Sequence, residues 1–135
     1  ISWVFGLNGN NFIKTMLRLG KERGAVSVVN DQIGSPTYTP DLSRLLADMI
    51  LTDKYGRYHA TNEGLCSWYE FAVEIFKQAG LNVNVTPVGS DTLPVKAKRP
   101  HNSRMDKSKL LENGFKPLPV WQDALRRYLQ ELEKN

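Results

Sequence analysis

Between residues 12 and 23, Phe12, Ile13, Met16, Leu17 and Leu19 recur at helical spacing, with Lys14, Arg18, Lys21 and Arg23 on the other side; the pattern predicts an amphipathic helix. Asn10 or Asn11 can cap it, and Gly24 ends it. A second apolar stripe, Leu42, Leu45, Leu46, Met49 and Ile50, follows Thr39 as expected N-cap and Pro40 at the first helical position. A third, Trp68, Phe71, Ala72, Ile75, Phe76 and Ala79, follows the capping box of Ser67 and Glu70 and is closed by Gly80. Asp106 is placed to cap a short helix through Leu111, stopped at Asn113-Gly114, and Val120, Ala124, Leu125, Tyr128, Leu129 and Leu132 mark a last helix after Pro119.

Between these stripes the pattern shortens. Residues 1–5, 25–29, 57–61 and 83–88 are β-branched, aromatic or alternating, and read as strands. Gly6, Asn8 and Gly9 break the first, and residues 30–37 are loop chemistry throughout. Strands and helices alternate, which selects an α/β fold.

Composition narrows the class. With 135 residues, 41% hydrophobic and 24% charged, the chain has the size and apolar content of one domain. It has no run of eighteen apolar residues, and its opening has no basic segment followed by a cleavage site, so no membrane partner is expected and the cytoplasm is the expected compartment. The single Cys66 forms no internal disulfide; beside a helix start with no base nearby in sequence, it reads as filler.

The net charge of +4 is concentrated in Lys96, Lys98, Arg99, His101, Arg104, Lys107 and Lys109. That stretch is either a solvated face or a site for a phosphate-bearing small molecule. No aromatic residues interleave it, so nucleic acid is not the expected partner. Two histidines and one cysteine offer no metal-ligand cluster at usable spacing. Gly6-Leu-Asn-Gly9 lies between a strand and a helix but lacks a third glycine, and reads as a turn rather than a phosphate cradle.

Three stretches carry a more specific signal: Ser2-Trp-Val-Phe-Gly6 with Asn10-Asn-Phe12; Val29-Asn-Asp-Gln-Ile-Gly-Ser-Pro-Thr37 with Asp41-Leu42; and Arg99-Pro-His-Asn-Ser103 with Asp106 and Leu110. In this order and spacing they resemble the dTDP-4-dehydrorhamnose reductases, which are extended short-chain dehydrogenase/reductases. The resemblance runs from Ile1 to about Leu129. It implies the C-terminal, substrate-side part of a Rossmann-type fold, in an enzyme that reduces a 4-keto sugar nucleotide with NADP or NAD as cofactor.

The family's catalytic Tyr-x-x-x-Lys is absent: four places after Tyr38, Tyr55, Tyr58, Tyr69 and Tyr128 stand Leu42, His59, Asn62, Val73 and Leu132. The resemblance therefore assigns this chain no catalytic residue. It implies that Trp3 contacts the deoxysugar, that Ser2 lies near the nicotinamide, and that Arg99, with Asn102 beside it, meets the diphosphate, a role suited to a guanidinium's paired hydrogen bonds. It places Asn11 near the sugar nucleotide, although a helix cap accounts for Asn11 equally well. Trp3 also fits a half-buried strand aromatic. Gln32, Gly34 and Pro36 fall in a loop resembling the substrate-side lining.

Two further readings stay open: another sugar-nucleotide reductase or epimerase, and a non-catalytic reductase-like binding subunit. A chain that starts at Ile1 and enters a strand at once is expected to be a fragment, inactive without an N-terminal dinucleotide-binding domain. Its cut sheet is expected to promote association between copies, a homo-oligomer included, or partial disorder.

Overall fold

The computed structural model describes residues 1–94 and 97–135. Strands and helices alternate along the chain as an α/β fold requires. The strands form three two-stranded ladders. Strand β1 (Val4–Phe5) runs parallel to β4 (Thr37–Tyr38), β2 (Ala25–Val29) parallel to β6 (Asn84–Val88), and β3 (Ile33–Gly34) antiparallel to β5 (Cys66–Ser67).

Helix α1 (Phe12–Arg23) has the predicted bounds because both ends are specified locally. Asn11 Oδ1 accepts the Lys14 N–H at 3.0 Å, and Gly24 leaves the helix in the left-handed region at φ 67°. Helix α3 (Trp68–Gln78) begins with the expected reciprocal cap: Ser67 Oγ accepts the Glu70 N–H at 3.0 Å, and Glu70 Oε2 accepts the Ser67 N–H at 2.8 Å.

Four expectations are corrected. Helix α2 (Thr39–Ile50) starts one residue early: Tyr38 occupies the N-cap position, its N–H taken by Asn62 Oδ1 at 2.8 Å, and no side chain caps the helix. Residues 57–61 join no ladder among the described residues, because a β-like segment becomes a strand only beside a partner. The expected loop at residues 30–37 contains β3 and the first residue of β4, both created by distant pairing. Strand β1 is shorter than residues 1–5, because Trp3 turns into the left-handed region at φ 48°. Such a conformation costs a bulky residue about 1–3 kcal/mol.

Helix α4 (Ser108–Glu112) begins after Lys107, and Asp106 serves it from just outside by accepting the Ser108 N–H at 2.9 Å. Helix α5 (Trp121–Lys134) closes the fold. The main core gathers Phe5, Ile13, Phe71, Ile75, Leu125 and Tyr128 from β1, α1, α3 and α5. A second cluster joins Leu45 of α2 to Ala60, Leu110, Phe115 and Leu118. Burying each of these large side chains contributes about 1.5–3 kcal/mol, so β1 and the first turn of α3 are anchored at one side of the main core.

Candidate functional site

An open cleft of about 530 Å³ lies where the approach to β1, the loop before β3 and the N-terminus of α3 meet. Ser2 and Trp3 line it beside Gln32 and Trp68, and Arg99, Pro100 and Ser103 complete the rim. Its size suits a small organic molecule.

The wall is aromatic. Trp3 stacks on Trp68 with ring centroids 3.8 Å apart and planes 17° from parallel, and Phe12 packs against Trp68 at 4.7 Å. The backbone beneath Trp3 is held by three bonds. Its carbonyl accepts the Thr37 N–H at 3.1 Å, Ser2 Oγ donates to the Ser35 carbonyl at 2.7 Å, and Thr37 Oγ1 donates to the Ser2 carbonyl at 2.7 Å. These bonds, with the stack, hold Trp3 in its strained conformation. Gly34 is required below: a Cβ there would lie 2.8 Å from Trp3 Cε2 and Cζ2 and 2.6 Å from Ser103 Oγ.

The rim is cationic at one point. The predicted basic stretch divides: Lys107 pairs with Glu63 at 2.8 Å, Lys109 lies 4.8 Å from the Tyr58 ring centroid, and Arg104 Nε donates to Asn102 Oδ1 at 2.9 Å. His101 Nδ1 lies 3.0 Å from the Asp31 carbonyl, and Lys96 is outside the described residues. Arg99 is exposed at the cleft, and its guanidinium has no protein partner among the described residues. It is therefore available to an anion. Asp31 holds its carboxyl below the ordinary range, chiefly because the Ser90 N–H donates to it, with the Ser90 hydroxyl and His101 nearby.

The structure thus brings together Ser2, Trp3 and Arg99, with Gln32 from the lining loop. Asn102 is not among the residues that line the cleft, and its Oδ1 accepts from the Arg104 backbone and side chain. Asn11 lines a separate cavity of about 300 Å³. Its amide is fully engaged: Oδ1 caps α1, and Nδ2 donates to the Gly6 carbonyl at 3.0 Å and to the buried Tyr128 hydroxyl at 2.8 Å. The helix-cap account of Asn11 is the one this geometry matches. Gly6-Leu-Asn-Gly9 is no anion cradle, since the carbonyls of Leu7 and Gly9 point at the Lys14 ammonium. Cys66 is buried with its thiol pushed up to about 12 by desolvation, with Glu70 adding to the effect.

Trp68 and Ser103 had no assigned site role. Trp68 belongs to a stripe that reads as core, but it is the first residue of α3, and helix side chains lean toward the N-terminus. Its indole therefore projects beyond the helix end into the cleft. Among the described residues no group of acidic, histidine or cysteine side chains is placed to hold a metal ion, and no helix is long and apolar enough to cross a membrane.

An α/β lobe with an aromatic-walled, arginine-rimmed cleft has the form of a small-molecule-binding domain, and its fold is that of the C-terminal part of Rossmann-type extended short-chain dehydrogenase/reductases. The chain belongs to the RmlD substrate binding domain family, whose sequence model matches residues 1–134. It is 42% identical over 130 residues to the spore coat polysaccharide biosynthesis protein SpsK of Bacillus subtilis, covering 96% of this chain and 45% of that protein. It is 46% identical over 138 residues to the dTDP-4-dehydrorhamnose reductase of Aggregatibacter actinomycetemcomitans, covering 93% and 47%. The crystal structure of dTDP-4-dehydrorhamnose reductase from Bacillus anthracis in complex with NADP superposes with a TM-score of 0.92 at 49% identity, covering 96% of this chain and 46% of that one. The chain spans about half the length of the curated relatives it matches.

Proposed function

We propose that this chain is the substrate-binding half of a cytoplasmic reductase that converts dTDP-4-dehydrorhamnose to dTDP-L-rhamnose. The observation that carries the reading is the pairing of an aromatic wall at Trp3 with an unpartnered Arg99 in one cleft. A sugar nucleotide presents the complement of both: a ring with an apolar face, and a diphosphate suited to a guanidinium. Ser103 and Gln32 add polar groups to the same cleft.

The hydride donor, NADP or NAD, finds little to hold it here. Ser2 is at the rim, but its hydroxyl is committed to Ser35, and the Gly6-Leu-Asn-Gly9 turn before α1 offers carbonyls rather than N–H groups. No step is assigned to the dinucleotide on this chain. Its binding, the proton donor and the cofactor loop belong to the other half of the parent protein, a division consistent with relatives about twice as long. That other half is the partner proposed for this domain. In the cleft, Arg99 would fix the diphosphate and the Trp3 wall would orient the sugar for hydride delivery.

The test is calorimetric titration of the 135-residue chain with dTDP-L-rhamnose. Binding is expected, and Arg99→Ala should weaken it by roughly tenfold or more, the factor set by losing a charge-assisted hydrogen bond. No binding by the wild type, or equal binding by the variant, overturns the reading. In the parent enzyme, a panel of keto-sugar nucleotides should show preference for the dTDP-4-dehydrorhamnose ketone.

A further inference from the structure

We infer that Trp68 is a positioning residue for ligand binding: stacked behind the Trp3 indole, it sets the plane of that ring, so that the face of Trp3 turned away from Trp68 is the wall against which a ring-shaped part of the ligand lies. The inference rests on the reading above and adds to it a residue and a geometric role.

The two tryptophans are held very differently. Trp68 opens α3 directly after the Ser67–Glu70 cap, packs against Phe12 at 4.7 Å, and stands on a helix whose Phe71 and Ile75 are buried in the main core. Ser67 is fixed further by donating its hydroxyl to Asn30 Oδ1 at 2.7 Å. Trp3 stands on a bend before a two-residue strand. The Thr37 N–H on its carbonyl, and the bonds of the preceding Ser2 with Thr37 and Ser35, fix its backbone, but none of them restrains the side-chain torsions that turn an indole.

Two neighbours restrain those torsions. The Trp68 ring lies parallel at 3.8 Å, and the Cα of Gly34 leaves no room for a Cβ beside Cε2 and Cζ2. The rigid ring therefore orients the tethered one, and not the reverse. Stacking of this kind favours one indole orientation several-fold, beyond the effect of the area it buries. With one face of Trp3 covered by Trp68, a ligand meets the remaining apolar surface at an angle that Trp68 determines. Either the hexose or the nucleobase of a sugar nucleotide can supply the ring.

Circular dichroism and calorimetry on the 135-residue chain together test this, with Trp68→Phe, Trp68→Leu and Gly34→Ala. Leucine keeps apolar volume without a flat face, and phenylalanine keeps the face. The wild type is expected to show an indole exciton couplet that Trp68→Leu, Trp68→Phe and Trp3→Ala each abolish. For dTDP-L-rhamnose, Trp68→Leu and Gly34→Ala should weaken binding by about tenfold, with Trp68→Phe within about threefold of wild type. The same losses on dTDP place the base on the wall; losses on dTDP-L-rhamnose alone place the hexose there. Either pattern supports the inference. If the wild type binds, Arg99→Ala weakens binding and Trp68→Leu does not, the positioning role is overturned while the function reading stands. If the wild type binds neither ligand, both fall.

Discussion

Arg127 closes a two-pronged ion pair on Asp41, Nη1 to Oδ1 at 2.9 Å and Nη2 to Oδ2 at 2.7 Å, and so ties α5 to α2 across 86 residues of sequence. The Asp41 side chain is 11% exposed and that of Arg127 32%, and Asp123 takes the remaining Nε–H at 2.8 Å. These partners hold the guanidinium firmly in its charged form, Asp41 contributing most. Its Cζ also lies 5.3 Å from the centroid of the Tyr38 ring. Tyr38 and Thr37 form β4, which pairs with the strand that Trp3 enters, so this junction supports the cleft from behind.

Removing Arg127 leaves a mostly buried carboxylate whose remaining side-chain partner, among the described residues, is the amide of Asn62. Arg127→Ala should therefore cost about 2 kcal/mol, between the value of an exposed pair and that of breaking a fully buried one. Arg127→Lys should recover little, because an ammonium cannot span both carboxylate oxygens. Urea titration measures both, and a loss below about 0.5 kcal/mol for Arg127→Ala would show the pair to be ornamental.

Asn62 is the more demanding position. Its side chain is fully buried, accepts the Tyr38 N–H at 2.8 Å, and donates to Asp41 Oδ2 at 2.8 Å and to the Pro119 carbonyl at 2.9 Å. Asn62→Ala orphans these groups together, at an expected cost of about 3 kcal/mol. Asn62→Asp should be as harmful, since it sets a second carboxylate against Asp41 and removes the donor to the Pro119 carbonyl. Urea titration of both variants measures the loss, and wild-type stability in either counts against this arrangement.

Gly20 sets helix propensity against packing. It is buried within α1, where alanine would ordinarily gain about 1 kcal/mol. A Cβ there would lie 2.5 Å from Cε1 of Phe76 and 3.0 Å from Cγ2 of Val83. Phe76 is 3% exposed and has nowhere to retreat. Overpacking of this kind costs about 1–3 kcal/mol, so Gly20→Ala should be neutral to destabilising. A rise in melting temperature would show that the α1–α3 contact yields more easily than the distances imply.

What could be read from the sequence follows from where the information resides. The ends of α1 and α3 were legible because Asn11, Gly24, Ser67 and Glu70 act within a turn of their own position. Residues 57–61 look like a strand and join no ladder, while Ile33–Gly34 looks like loop and pairs with β5, because a ladder depends on the partner. At the cleft, the motifs pointed to Ser2, Trp3 and Arg99, and the structure brings them together. Trp68 was hidden because an aromatic at helical spacing reads as core wherever it stands on the stripe. Only its place at the first turn distinguishes it, and that matters once Trp3 is known to lie opposite. Asn102 and Asn11 show the converse, since a polar side chain suited to a ligand suits a local backbone group just as well.

Cys66 gives the pH dependence its alkaline arm. Burial pushes its thiol up to about 12, well above the ordinary thiol range. Well below about pH 8.5 the thiol is protonated in both folded and unfolded chains and stability is unaffected. As pH rises beyond that, the unfolded chain loses the proton first, so stability falls until the folded thiol also ionises near 12. Tyr38 and Tyr128, whose phenols burial also pushes up, add to the fall from about pH 10. Urea titrations from pH 8 to 10 should show the wild type losing about 1–2 kcal/mol. Cys66→Ala should lose distinctly less over the same interval. The variant is less stable throughout because of the cavity it leaves, but that cost does not vary with pH, so the slopes isolate the thiol. Parallel slopes for the two proteins would mean that Cys66 ionises in the folded state much as it does in the unfolded one.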